Sequence, residues 1–256
     1  MRAAIVGYGR MGHEVEAVLG ERGHEVARVV DPAVAGSHRS GDLYAPEVTP
    51  QALAGCEVAI EFSLPDAVVE NVAAYAEAGV PAVIGTTGWL DRLDEVTRSV
   101  DEAGGALVYG SNFSIGAHLF FRLAAFAGSL VARVEEYDLL VHEMHHRGKK
   151  DSPSGTALSL AKAVMEQVPR KRRIETARLD RAPEPEELHV SSSRGGSIPG
   201  THTLYLDSAV DTIEVRHQAR SRGGFALGAV KTAEWVRGRR GVFTVDEYID
   251  RLLESD

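Results

Sequence analysis

The sequence predicts an α/β protein: a parallel sheet wound with helices at the N-terminal end, followed by a second α+β domain with a mixed sheet. Three observations carry this. Apolar runs of strand length alternate with helical stretches as far as Tyr109. A glycine-rich turn, Gly7-Tyr8-Gly9-Arg10-Met11-Gly12, joins the first strand to the first helix. After Ser114 the rhythm changes, and from Leu188 successive strands follow with Gly/Pro turns between them.

Ala3-Ala4-Ile5-Val6 reads as the first strand, and Val15, Val18 and Leu19 give the next stretch helical spacing. Val26 to Val30 is a second strand ending at Asp31. This is the setting G-x-G-x-x-G needs in a Rossmann-type domain, with strand before, helix after and an acid about twenty residues on. The first glycines let a pyrophosphate approach the helix start, and Gly12 lets the helix pack on the strand. Asp31 can accept hydrogen bonds from ribose hydroxyls, which favours NADH; Arg28, His38 and Arg39 lie close enough in sequence to leave NADPH open. Pro32 to Pro50 reads as a long polar loop with a short element near Leu43. Strands at 58–63, 81–84 and 106–109 follow, with helices at 67–78 and 90–103 between them. The loops Gly85-Thr86-Thr87 and Gly110-Ser111-Asn112-Phe113 fall at strand ends, where ligands of parallel sheets bind, and are read as cofactor walls.

Residues 115–132 form one long apolar helix that suits a link between domains or an oligomer interface. Tyr137, Leu139 and Val141 alternate with Asp138 and His142 as in a strand. There follows the densest cluster of titratable groups in the chain, His142-Glu143-Met144-His145-His146-Arg147-Gly148-Lys149-Lys150-Asp151. Ser152 suits an N-cap and Pro153 a first helical position, which places Ser154, Gly155 and Thr156 in the first turn of a helix running to Val168. Histidines and lysines beside the open amides of a helix start make a receptor for a small carboxylate or phosphate. The same residues match the H-E-x-x-H zinc signature, His142-Glu143-x-x-His146, but that chemistry needs a helix. On a strand the two histidines would lie about 13 Å apart, so no metal is expected. Residues 169–187 read as an exposed loop, and strands at 188–193, 201–207 and 212–220 precede helices at 226–237 and 245–253 that could return to the first domain.

Composition sets limits. An apolar content of 44% and a charged content of 25% are those of a globular protein, and a net charge of -9 argues against a nucleic-acid binder despite the run Arg170-Lys171-Arg172-Arg173, read as a solvated helix end or loop. Cys56 is the sole cysteine, which excludes a disulfide framework and a thiolate cluster. With no signal-like h-region and no apolar run of membrane-spanning length, a cytoplasmic protein without a membrane partner is expected.

His145-His146-Arg147-Gly148-Lys149-Lys150-Asp151-Ser152-Pro153-Ser154-Gly155-Thr156-Ala157 resembles the H-H-x-x-K-x-D-x-P-S-G-T-A motif of the dihydrodipicolinate reductase family. Supporting matches run along the chain: Gly9-Arg10-Met11-Gly12, Phe62-Ser63 with Pro65, Gly85 to Gly88, Asn112 to Ser114, and Arg194 with Gly196, Gly200 and His202. The nucleotide loop is one residue shorter than in many members, and Glu61 stands where Asp is usual. The resemblance implies an NAD(P)H-dependent reduction of the cyclic imine made from pyruvate and aspartate semialdehyde, in lysine and diaminopimelate biosynthesis. It implies that His145 and Lys149 handle the proton and that His146, Ser154, Gly155 and Thr156 bind the dicarboxylate substrate. Gly7 to Gly12, Asp31, Gly85 to Thr87 and Gly110 to Phe113 would hold NADH or NADPH. It further implies a homotetramer assembled through the second domain. The expected division is 1–114 with 224–256 for the dinucleotide and 115–223 for substrate and oligomerisation. A non-catalytic NAD(P)-binding protein on the same fold is the competing expectation.

Overall fold

A computed structural model describes residues 1–35 and 43–254. In chain order its elements are β1 (Arg2–Val6), α1 (Arg10–Glu21), β2 (Glu25–Val30), α2 (Pro32–Ala35), β3 (Tyr44–Ala45), β4 (Val58–Glu61), α3 (Val68–Ala78), β5 (Ala82–Ile84), α4 (Leu93–Glu102) and β6 (Ala106–Tyr109). They continue with α5 (Ile115–Val131), β7 (Asp138–His145), α6 (Gly155–Met165), β8 (Arg173–Glu175), β9 (Glu187–Arg194), β10 (Thr201–Asp207), β11 (Thr212–Gln218), α7 (Gly223–Val236), β12 (Gly241–Thr244) and α8 (Val245–Leu253). The chain divides into two compact units, 1–115 with 222–256, and 116–221.

The first unit is a seven-stranded sheet in the order β12-β6-β5-β4-β1-β2-β3, parallel throughout. Parallel strands are stable when helices cover both faces, which is why β4 (VAIE) and β5 (AVI) are buried along their whole length. One face packs on Val15, Leu19, Ala229, Val230 and Ile249, the other on Val68, Val72, Tyr75, Val96 and Val100. The chain builds outward from β1 to β3, then returns to the other side with β4. That reversal opens a crevice at the carboxyl ends of β1 and β4. β12, too short for a periodicity signal, extends the sheet beside β6. The segment read as a loop from Pro32 holds α2 and β3; His38 and Arg39 lie outside the described residues.

The second unit is a mixed sheet in the order β11-β10-β7-β9-β8. A hairpin pairs β10 with β11, and β10 also runs antiparallel to β7, whereas β9 lies parallel to both β7 and β8. Leu139 and Val141 on β7, Leu188 and Val190 on β9, and Leu204 and Leu206 on β10 pack against Phe120, Ala124, Leu160 and Val164 of α5 and α6. Truncating the fully buried Leu160 to alanine would cost about 2–5 kcal/mol by transfer and cavity terms.

The structure corrects three sequence readings here. Residues 169–187 are not simply an exposed loop. They contain β8, and Lys171 is buried, its ammonium on the Glu187 carbonyl at 2.7 Å and paired with Asp138. The basic run is structural for the same reason: Arg170 donates to the carbonyls of Val131, Ala132 and Tyr137 at 2.6–3.0 Å, closing the end of α5, while Arg173 pairs with buried Glu187. Finally, α6 is capped by Ser154, two residues later than Ser152, and ends at Met165. The Ser154 amide is caught by the buried carboxylate of Glu143 at 3.3 Å and Ser154 itself is extended, so the helix starts only after it.

Candidate active site

In the first unit, three loops at the strand ends meet around a cleft of about 360 Å³. Gly9, Arg10 and Met11 line it from the turn after β1, Phe62, Ser63 and Pro65 from the segment after β4, and Gly85, Thr86 and Thr87 from that after β5. Gly7 sits at φ +84° with its α-carbon against the Phe62 carbonyl, and a Cβ on Gly12 would overlap the Gly7 carbonyl. A side chain at Gly7 would drive the turn from the segment after β4, and one at Gly12 would push α1 off the turn. No side chain caps the start of α1, so its first amides open onto the cleft as an anion-binding edge. Asp31 accepts the Tyr8 amide at 2.7 Å on one oxygen and the Ala33 amide at 2.8 Å on the other. It therefore braces the glycine turn and keeps lone pairs for ribose hydroxyls. Gly110, Ser111 and Asn112 do not line the cleft, and Phe113 is buried with its ring edge-to-face on Phe62.

In the second unit, β7 alternates strictly. Leu139, Val141, Glu143 and His145 point to the buried face, Leu140, His142 and Met144 to the other. The zinc signature is thereby taken apart, because His142 and Glu143 face opposite ways on a strand. What the buried face assembles instead is a group the sequence reading missed. Glu143, with no exposed surface, accepts from His145 Nδ1 on one oxygen and from Arg194 Nη2 at 2.7 Å and the Ser154 amide at 3.3 Å on the other. Arg194 also donates to the Asp151 carbonyl at 2.6 Å, tying the loop before α6 to β9. His202 on β10 stacks edge-on against His145, with centroids 5.1 Å apart, and contacts the Ser154 hydroxyl at 3.2 Å. Ser154 Oγ in turn accepts the Ala157 amide, completing the cap.

Burial works to raise the Glu143 carboxyl, but the hydrogen bond from Arg194 and the nearby positive charge outweigh it and hold the group below its ordinary value. It is an anion. For His145 burial dominates and lowers the pKa against the upward pull of Glu143, which leaves a neutral imidazole near pH 7. With Nδ1–H given to Glu143, Nε2 is the free acceptor, directed past Gly200, where a side chain would strike it. Ligand atoms of Glu143, His145 and His202 lie within 4.8 Å of one another, close enough to chelate, but a cation there would have to displace Arg194 and the His145 proton from Glu143. Lys149 extends from the same loop and is paired with Asp151 at 2.9 Å. The Asp151 carboxyl is held below its ordinary value, first by that bond. His146 is half-buried, with Nδ1 on the Gly148 amide.

His202 supplies a test of this packing. Burial pulls its pKa from 6.5 to about 4, so the folded protein binds fewer protons than the unfolded chain between those values. The associated stability is complete above about pH 6.5 and is lost as the pH falls toward about 4, an upper limit of about 3 kcal/mol. Urea midpoints of His202→Asn should fall less over that interval than those of the wild type; parallel slopes would contradict the assignment.

Comparison with known proteins agrees with these features. The chain matches the family model "Dihydrodipicolinate reductase, N-terminus" over residues 1–113 and "Dihydrodipicolinate reductase, C-terminus" over residues 116–249. It is 36% identical to 4-hydroxy-tetrahydrodipicolinate reductase of Christiangramia forsetii over 255 residues, covering 100% of both chains. It is 33% identical to the protein of the same name from Archaeoglobus fulgidus, covering 98% of this chain and 100% of the other. In fold it is similar to dipicolinate-bound dihydrodipicolinate reductase from Paenisporosarcina sp. TG-14, with a TM-score of 0.76 at 22% identity over 95% of this chain and 97% of that one.

Proposed function

The chain belongs to the dihydrodipicolinate reductase family, and from that premise we propose that the turn between β7 and α6 grips the dicarboxylate while Lys149 and His145 manage the proton. The protein is an oxidoreductase that uses NAD(P)H to reduce 4-hydroxy-tetrahydrodipicolinate, through the dehydrated cyclic imine, to tetrahydrodipicolinate in lysine and diaminopimelate biosynthesis. The observation that carries the site reading is that Glu143 fastens His145 and Ser154 together, making imidazole and helix start one unit.

The cleft of the first unit suits a dinucleotide: it has glycines where a Cβ would clash, an uncapped helix start for the pyrophosphate and Asp31 beside the turn. Bound NADH or NADPH supplies the hydride. Gly7 to Gly12 and Asp31 would hold it, with Gly85 to Thr87 as a further wall; the 110–113 loop, at the next strand end, lies outside that cleft. In the second unit, His146, Ser154, Gly155 and Thr156 bind carboxylate, using the imidazole, the hydroxyls and the amides of the α6 start. Hydride addition to the carbon end of the conjugated C=C–C=N system drives negative charge toward the ring nitrogen, and one proton must discharge it to leave the C=N of tetrahydrodipicolinate. Lys149, whose ammonium is held by Asp151, donates that proton. His145, already fixed with Nε2 as acceptor, orients the ring and relays the replacement proton. The Paenisporosarcina protein binds dipicolinate, a planar ring with the same two carboxylates, which supports a dicarboxylate reading for this chain. The carboxylate grip and the proton-handling pair favour the reductase over a non-catalytic nucleotide binder. With synthase, pyruvate and aspartate semialdehyde supplied, NADH or NADPH is consumed in proportion to substrate; no consumption with either would contradict the assignment.

Assembly is the second part of the proposal. Leu119, Leu123, Phe126 and Leu130 form an exposed apolar stripe along α5, at 38%, 60%, 63% and 62% exposure, and Ile213 is 48% exposed on the edge strand β11. Patches of this kind mark protein contacts, and we assign them to a homotetramer. Phe126→Glu should lower the mass measured by light scattering while the far-UV spectrum is unchanged; an unchanged mass would remove α5 from the interface. Among the described residues no helix is long and apolar enough to cross a membrane, and a cytoplasmic location fits an enzyme that draws on reduced nicotinamide nucleotides.

A further inference from the structure

Glu61 ends β4 with its side chain wholly buried, beneath the segment that lines the nucleotide cleft. Its carboxyl accepts from the Ser63 hydroxyl and from Asn71 Nδ2 at 2.8 Å on one oxygen, and from Tyr75 OH at 2.8 Å on the other. All three donors are neutral. Burial pushes the carboxyl upward against their pull, so this is a costly group to keep inside a sheet of apolar strands. Stability alone does not call for it, because an apolar side chain would fill the volume without the desolvation cost. The cost falls where it has a local effect. Drawing the Ser63 hydroxyl inward aims the Ser63 amide at Thr86 Oγ1, 2.8 Å away, on the next loop of the cleft. On the opposite side the Phe62 carbonyl closes on Gly7, and the Phe62 ring fills the place a Cβ on Gly85 would need. One carboxyl thus sets Phe62 and Ser63, and through them the spacing of all three loops that line the cleft.

We propose that Glu61 is a positioning residue for the nucleotide: by fixing Ser63 against Thr86 it sets the wall on which the dinucleotide is held. The inference rests on the assignment of the cleft to NADH or NADPH, but its test needs neither substrate nor turnover. Nucleotide Kd is measured by isothermal titration calorimetry on the full chain for Glu61→Gln, Ser63→Ala and Tyr75→Phe. Glu61→Gln keeps shape and loses the double acceptor. Ser63→Ala removes the hydroxyl that ties Glu61 to the wall and keeps the backbone amide, and it carries the test if the first variant does not fold. Both should weaken nucleotide binding about tenfold, the loss of one well-placed hydrogen bond. Tyr75→Phe, which touches the carboxyl away from the wall, should lower thermal stability and leave Kd within about twofold. In turnover, the KM for nucleotide should rise with kcat and the KM for the dicarboxylate unchanged. Unchanged Kd in Glu61→Gln and Ser63→Ala would overturn the proposal, as would an equal rise in Tyr75→Phe, which would mark general softening. If the reductase assay itself failed while these Kd values moved as stated, the fault would lie with the assigned reaction and not with Glu61.

Discussion

Replacing Lys149 by methionine should lower kcat by about a hundredfold to ten-thousandfold, the usual contribution of a positioned acid, while nucleotide Kd stays at the wild-type value. Methionine keeps the length and apolar stem of lysine and removes only the ammonium. Because the side chain stands on the loop before α6, partly exposed and paired with the exposed Asp151, the fold should not suffer: such a solvent-facing ion pair is worth about 0–1 kcal/mol. The measurement is steady-state turnover beside calorimetric nucleotide binding. Turnover within about threefold of wild type would transfer the proton to another group, because loss of a general acid costs far more than that. Asp151 sharpens the reading, for its carboxylate holds the Lys149 ammonium at 2.9 Å in the loop that leads into α6. An anion of the chain's own therefore already shows that this corner accepts negative charge.

Glu143 carries the second large effect, and two substitutions separate its roles. Glu143→Ala leaves the Arg194 guanidinium, His145 Nδ1 and the Ser154 amide without their shared acceptor in a buried site, and should cost about 3–5 kcal/mol in urea unfolding. Glu143→Gln keeps one oxygen for Arg194 and Ser154 but turns an amide N–H₂ toward His145. The imidazole must then accept at Nδ1 and carry its proton on Nε2, the wrong tautomer for relay. Stability should fall by about 1 kcal/mol, whereas kcat should fall by at least about tenfold. Proportionate loss of both in each variant would reduce Glu143 to a packing role.

The family and the two-unit architecture were legible because they rest on local signals: strand and helix periods, the Gly7 to Gly12 turn and the run from His145 to Ala157. The network behind that run was not. Glu143 is polar, and beside two histidines it reads as part of an exposed cationic loop. Yet the alternation of Tyr137, Leu139 and Val141 already placed residues 143 and 145 on the apolar face, and an acid on that face was the available clue. Glu61 carried the same clue, an acid closing an apolar strand. Arg194 and His202 come from strands far along the chain, so only pairing through β7 brings them to Glu143. The basic run at 170–173 misled for the reverse reason: composition cannot tell a solvated cation from one spent on the carbonyls at a helix end.

The central claim is tested most directly by following the transferred atom. When NADH or NADPH carrying deuterium at the transferable position is incubated with the cyclic imine, mass spectrometry should find one deuterium in each ring of tetrahydrodipicolinate formed. The Lys149→Met protein, still binding nucleotide and dipicolinate by calorimetry, should form almost none. Product without label, or full labelling by the Lys149→Met protein, would contradict the account.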